Sequence, residues 1–252
     1  MTTLTGTALV TGGGSGIGRA ICQRLAADGA RVAVADIDLD GATRTAEMIR
    51  AAGGTAHAAR MDVADYDSVR TAVAEIRAAL GTIDFLVNNA GWDRMGRFVD
   101  NTPELWDKVI AINYKGPVQC TRAVLDEMME RNRGKIVFIS SDAARVGSSG
   151  EAVYAGCKGA VVAFAKSLAR EMSRHRINVN VVCPGPTDTP LIRGMAEAGN
   201  DKLVEALRRA IPFGRMAEPH EIAAAVAFFV SPDADFVTGQ VLSVSGGLTM
   251  AG

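Results

Sequence analysis

Histidine and cysteine are scarce in this 252-residue chain, and neither is arranged to hold a metal. His57, His175 and His220 lie far apart, and Cys22, Cys120, Cys157 and Cys183 show neither C-x-x-C spacing nor a disulfide framework. No metal site is expected, and the cysteines read as small core residues of a protein in a reducing compartment. An excess of one charge is also lacking: 27 Lys and Arg face 28 Asp and Glu, with the basic residues scattered. That excludes the basic footprint of a nucleic-acid binder. The longest apolar run, 222–230, is half a membrane span, and the N-terminal stretch has no basic region ahead of an apolar one. A cytoplasmic protein with no membrane partner is expected.

What is present is core-forming material in a regular rhythm. Hydrophobic residues make up 48% of the chain, enough for one large α/β domain. Short runs such as TALVT (7–11), RVAVAD (31–36), IDFLVNN (83–89), KIVFIS (135–140) and INVNVVC (177–183) alternate with amphipathic stretches. Continuous apolar strands separated by helices imply a parallel sheet covered on both faces. The prediction is α/β: a single doubly wound Rossmann domain over 1–252, with about seven parallel strands. One long helix is predicted over 103–131 and another over 151–173. Only 184–215 breaks the rhythm, and a substrate lid is expected at about 186–215.

Between the first strand and first helix stands Thr11-Gly12-Gly13-Gly14-Ser15-Gly16-Ile17-Gly18, spaced G-x-x-x-G-x-G. Glycines let backbone approach a phosphate, and a helix N-terminus offers unpaired N–H groups to it. Alone, such a turn is equally an ordinary glycine turn. Asp36, ending the second strand 18 residues after Gly18, adds weight, because an acid near that spacing meets ribose hydroxyls. A carboxylate there repels a 2′-phosphate, and Ser15 stands where a cation could neutralise one, so NAD is expected over NADP. The plainer alternative for Asp36 is a solvated strand-end acid.

Tyr154 and Lys158, four apart on a predicted helix, share one face. An ammonium beside a phenol can lower its pKa by about 1–3, fitting it to exchange a proton with an alcohol oxygen. Ser141, just past a strand end, can donate to a substrate oxygen, with Ser140 as the competitor. Asn89, Ala90 and Gly91 follow the fourth strand beside the cofactor cleft. Asn113 interrupts an apolar stretch, either as a satisfied buried amide or as a water-holding link in a proton path to Lys158.

T-G-x-x-x-G-x-G at 11–18, N-N-A-G at 88–91, Asn113, Ser141, Tyr154-x-x-x-Lys158 and Pro184-Gly185 together resemble the short-chain dehydrogenase/reductase family over the whole chain. The resemblance implies Tyr154 as general acid/base, Lys158 on the nicotinamide ribose, Ser141 orienting substrate and Asn113 in a proton relay. It further implies that Asp62-Val63 border the adenine, that Thr187 after Pro184-Gly185 meets the carboxamide, and that the enzyme is a homotetramer.

Within that family, segments 141–159, 180–190 and 238–252 are similar to dehydrogenases of ring β-hydroxyacyl-CoA thioesters. An alcohol/ketone substrate carried as a CoA thioester is therefore expected, with Arg94, Arg97, Arg145, Arg193, Arg208 and Arg209 as candidate phosphate anchors and Arg145 preferred. Trp92, Met95, Val146, Leu191, Met195 and Phe213 are candidates for an apolar pocket. The rivals are a 3-oxoacyl-carrier-protein reductase, a dehydrogenase of a non-CoA cyclic alcohol, and a non-catalytic NAD-sensing module.

Overall fold

The computed structural model describes residues 3–190, 192 and 201–251. Seven strands, β1 (Thr7–Thr11), β2 (Arg31–Asp36), β3 (Ala56–Arg60), β4 (Ile83–Asn88), β5 (Gly134–Ile139), β6 (Ile177–Pro184) and β7 (Val241–Val244), form one sheet. Their order is β3-β2-β1-β4-β5-β6-β7, and every pairing is parallel. The order reverses between β1 and β4, and at such a reversal the carboxyl ends of the strands open a crevice.

Alternate strand residues feed opposite faces. Ala8, Val10, Val32, Val34, Val87, Val137 and Val182 pack under helices α1 (Gly16–Ala27), α2 (Leu39–Ala51) and the late helix Pro219–Val230. Leu9, Ala33, Leu86, Phe138 and Val181 pack on the other face. There they meet α3 (Tyr66–Leu80), α5 (Gly116–Glu130) and, past the short α6 (Ala143–Val146), the 21-residue α7 (Ala152–Met172), on which α4 (Pro103–Ile110) packs through Leu105 and Val109. The chain ends with α8 (Asp201–Ala210), α9 (Pro219–Val230) and β7. Burying each large aliphatic side chain contributes about 1.5–3 kcal/mol, and both faces are filled with them.

Two features depart from expectation. The helix predicted over 103–131 is broken by a π turn at Ala111–Lys115, where the Gly116 N–H donates to the Ala111 carbonyl. Pro117 supplies the cause: it has no N–H to give the carbonyl four residues back, that of Asn113, so the ladder shifts there. Second, 152–175 is long and apolar enough to cross a membrane by length and composition, although polar residues interrupt it too often for an unbroken apolar run. Its Val161, Ala165, Leu168, Ala169 and Met172 belong to the core beneath the sheet, so those residues serve the fold. Of the lid expected at about 186–215, residues 191 and 193–200 lie outside the described residues, and Leu191, Arg193 and Met195 with them.

Candidate active site

The crevice at the β1/β4 reversal is built by hydrogen bonds between strand ends. The Thr11 hydroxyl accepts from the Asn89 and Ala90 N–H groups at 3.1 and 3.0 Å. The Asn89 amide donates to the Thr11 and Gly12 carbonyls at 2.9 and 3.1 Å. Glycine is required at two points of the turn. Gly12 has φ +65° and a Cβ there would lie 2.9 Å from the Ala90 Cα, whereas one at Gly18 would collide with the Gly12 carbonyl oxygen. The first intrahelical bond of α1 runs from the Arg19 N–H to the Ser15 carbonyl, so the N–H groups of Gly16, Ile17 and Gly18 precede the ladder. They form the anion-binding end of α1.

Asp36 lies against this turn. One carboxylate oxygen accepts from the Gly14 N–H at 2.9 Å and the other from the Asp38 N–H at 3.0 Å. A carboxylate offers about four acceptor positions, so the brace leaves capacity for ribose hydroxyls. Sequence spacing did not single out Arg19, one turn into α1. Its guanidinium donates to the Gly14 carbonyl and, at 3.0 Å, to the Thr45 hydroxyl. A cation therefore stands at the turn after all, contrary to the inference drawn from Ser15. Asp62 and Val63 follow β3: the Asp62 carboxylate accepts from the Ala64 N–H, and the Val63 carbonyl accepts from Gln119 at 2.7 Å. At the end of β6, the buried Thr187 hydroxyl donates to the Gly185 carbonyl at 2.9 Å.

The catalytic candidates meet at the next strand end. Lys158 is buried and donates to the Ile139 carbonyl at 2.9 Å, with its Nζ 5.5 Å from the Tyr154 ring centre. Tyr154 packs on Leu105, Val109 and Cys157, with Ser141 beside its hydroxyl. The competitor Ser140 is turned inward, donating to the Lys158 carbonyl at 2.9 Å. Asn113, in the π turn, is fully buried; its amide donates to the Trp92 and Val109 carbonyls and its oxygen accepts from the Trp92 N–H. Gly91 lies between the two groups: a Cβ there would stand 3.0 Å from the Asn113 oxygen and 3.3 Å from the Lys158 Nζ.

The electrostatics differ from the expectation that Lys158 would lower the Tyr154 pKa. Burial pushes the phenol up, the Glu151 and Asp93 carboxylates push it further, and only the neighbouring Ser141 side chain clearly opposes them. Burial also lowers Lys158 to about 8. Asp93 is raised as well, first by its own burial, and one of its oxygens is buried with no hydrogen-bond partner.

The candidate anchors for an anionic substrate mostly have other partners. Arg145 donates to the Ser243 hydroxyl at 2.9 Å and to the Ala251 carbonyl, a structural attachment to β7 and the C-terminal segment. Arg97 pairs with Asp100, and Arg208 and Arg209 both pair with Glu205. Arg94 lines a small cavity with Asp93, Trp106, Glu151 and Tyr154. Among the pocket candidates, Met95, Val146 and Phe213 are exposed, and Trp92 lies under the Lys108 ammonium at 3.9 Å.

Sheet order and crevice define the class: a doubly wound nucleotide-binding fold. Residues 12–249 match the family profile described as enoyl-(acyl carrier protein) reductase. The chain is 37% identical over 243 residues to the 3-oxoacyl-[acyl-carrier-protein] reductase FabG of Escherichia coli, covering 96% of this chain and 97% of that one. It is 38% identical over 243 residues to the short-chain reductase NovJ of Streptomyces niveus, covering 95% and 92%. A crystal structure of a tryptophan variant of actinorhodin polyketide ketoreductase with NADPH superposes with a TM-score of 0.93 at 36% identity, covering 97% of each chain. The chain belongs to the short-chain dehydrogenase/reductase family, and it is an oxidoreductase.

Proposed function

We propose that this protein is an NAD-dependent dehydrogenase that interconverts a secondary alcohol and a ketone carried on a CoA thioester. One observation carries the reading: Tyr154, with Ser141 beside its hydroxyl, shares helix α7 with Lys158, whose Nζ is directed toward Gly91 at the edge of the dinucleotide crevice. The glycine cradle at 12–18 and the carboxylate of Asp36 fit a dinucleotide, with Asp62, Val63, Asn89, Ala90, Pro184, Gly185 and Thr187 bordering its other parts. The nicotinamide, when bound, supplies or takes the hydride. Tyr154 exchanges the proton at its Oη with the substrate oxygen, and Ser141 donates to that oxygen as charge develops on it. Lys158 holds positive charge beside the pair, and Asn113 fixes the π turn that packs against Gly91.

The substrate reading rests on the segments similar to 2-hydroxycyclohexane-1-carbonyl-CoA dehydrogenase, with Arg94 at the mouth as the remaining described arginine for an acyl or phosphate oxygen. The enzyme is read as a soluble cytoplasmic homotetramer. A second reading, an NADPH-dependent 3-oxoacyl-carrier-protein reductase, is favoured by Arg19 at the turn and by the kinship with FabG. NADH absorbance separates them, with 2-hydroxycyclohexanecarbonyl-CoA and its free acid offered side by side, each with NAD and with NADP. Turnover of the thioester with NAD is the expected result. Preference for NADP, lost on replacing Arg19 by Met, would support the second reading instead.

A further inference from the structure

The loop after β5 carries Ser141 and is held from behind by residues distant in sequence. Asp142 follows Ser141; it is buried, and its N–H donates to the Pro184 carbonyl at 3.0 Å. One oxygen of its carboxylate accepts from the Ser243 hydroxyl at 2.5 Å, and the other has no hydrogen-bond partner among the described residues. The Ser243 oxygen in turn accepts from the Arg145 guanidinium at 2.9 Å. A buried carboxylate and a guanidinium are thus bridged by one hydroxyl, which accepts from the cation and donates to the anion. Ser243 sits on β7, paired in register with Cys183 of β6, so the bridge spans the sheet edge. Arg145 also reaches the Ala251 carbonyl, which draws the C-terminal segment into the same assembly.

We propose that Ser243 and Arg145 are positioning residues for the reaction: with Asp142 they form a clasp that fixes the Ser141 hydroxyl against Tyr154. The proposal rests on the role given to Ser141 above. The coupling is local. Asp142 and Ser141 are consecutive, the Ser141 hydroxyl already accepts from the Ala143 N–H at 3.1 Å, and the short helix α6 hangs on the Asp142 carbonyl through the Arg145 and Val146 N–H groups. The loop therefore has few ways to move while Asp142 is held. Without the Ser243 hydroxyl the buried carboxylate loses the side-chain donor that satisfies it, and a carboxylate so placed moves toward water. Ser141 moves with it, and displacement of about 1 Å at a reacting group costs rate rather than affinity.

The test uses Ser243→Ala, Ser243→Thr, Ser141→Ala and the double variant, in steady-state kinetics with NADH binding followed by fluorescence. Ser243→Ala is expected to lower kcat about tenfold with the NADH Kd unchanged. Ser243→Thr, which keeps the hydroxyl, is expected to restore it. The double variant is expected to be no slower than Ser141→Ala alone, because both losses act through one hydroxyl. Full turnover in Ser243→Ala, or additive losses in the double variant, would overturn the clasp alone. Full turnover in Ser141→Ala would overturn the role of Ser141 and the clasp with it. Should Ser243→Ala fail to fold, Arg145→Lys carries the same test: normal kcat would overturn the clasp, and a loss confined to kcat would support it.

Discussion

Replacing Tyr154 with phenylalanine is expected to lower kcat by about 10²–10⁴-fold while leaving NADH binding in place. The ring stays packed on Leu105, Val109 and Cys157, so only the proton-carrying oxygen is removed. A non-catalytic cofactor sensor would keep its whole response in this variant, which separates that possibility from an enzyme. The same residue sets the pH dependence. Burial and the Glu151 and Asp93 carboxylates hold the phenol protonated through neutral pH. Ketone reduction needs that protonated form, so its rate should be flat across neutral pH. Alcohol oxidation needs the ionised form and should rise with pH over the same range. Removing one carboxylate by Asp93→Asn lowers the cost of ionising Tyr154, so the oxidation limb should move to lower pH. A pH–rate profile in both directions checks this, and an oxidation limb unmoved by Asp93→Asn would sink the electrostatic account.

Local pattern made the sheet legible. Strands such as RVAVAD and TALVT are continuous apolar runs closed by turn residues, and their bounds in the structure match the expected ones. The π turn at Ala111–Lys115 was not legible by periodicity, because a π turn adds a single residue to an otherwise helical pattern. Pro117 was the available signal, since it withholds the N–H that would close the turn on Asn113. At the site, glycine spacing and strand ends drew attention to the turn and to Asp36, where chemistry and chain position coincide. Arg145 shows the opposite case. Its partner Ser243 lies 98 residues away, and no spacing rule reaches so far. The Tyr154 shift was illegible for a related reason: burial is its largest cause, and Leu105 and Val109 on another helix pack against the ring.

Lys158→Met is expected to make the folded chain more stable at pH 7 while abolishing most of its turnover. Lys158 is buried, and desolvation lowers its pKa from 10.5 to about 8. A shift of that size costs the folded state about 3 kcal/mol at pH values well below 8, since each unit is worth about 1.4 kcal/mol. Between pH 8 and 10.5 the unfolded chain binds more protons than the folded one, so wild-type stability rises with pH across that window. Methionine has a similar length and no charge, so the penalty disappears. Against it stands the lost hydrogen bond from Nζ to the Ile139 carbonyl, a charged donor worth about 1.5–3 kcal/mol. The net gain at pH 7 is therefore about 1 kcal/mol, or about 2–4 °C in Tm for a chain of this size. It should shrink, and then reverse, as pH approaches 10, where wild type no longer carries the buried charge. Thermal unfolding of both proteins at pH 7 and pH 10 is the measurement. If Lys158→Met is the less stable protein by the same margin at both pH values, the buried ammonium is not a cost carried for function. A crossing of the two curves, with turnover lost at either pH, would mark Lys158 as a charge kept in the core for the sake of the reaction.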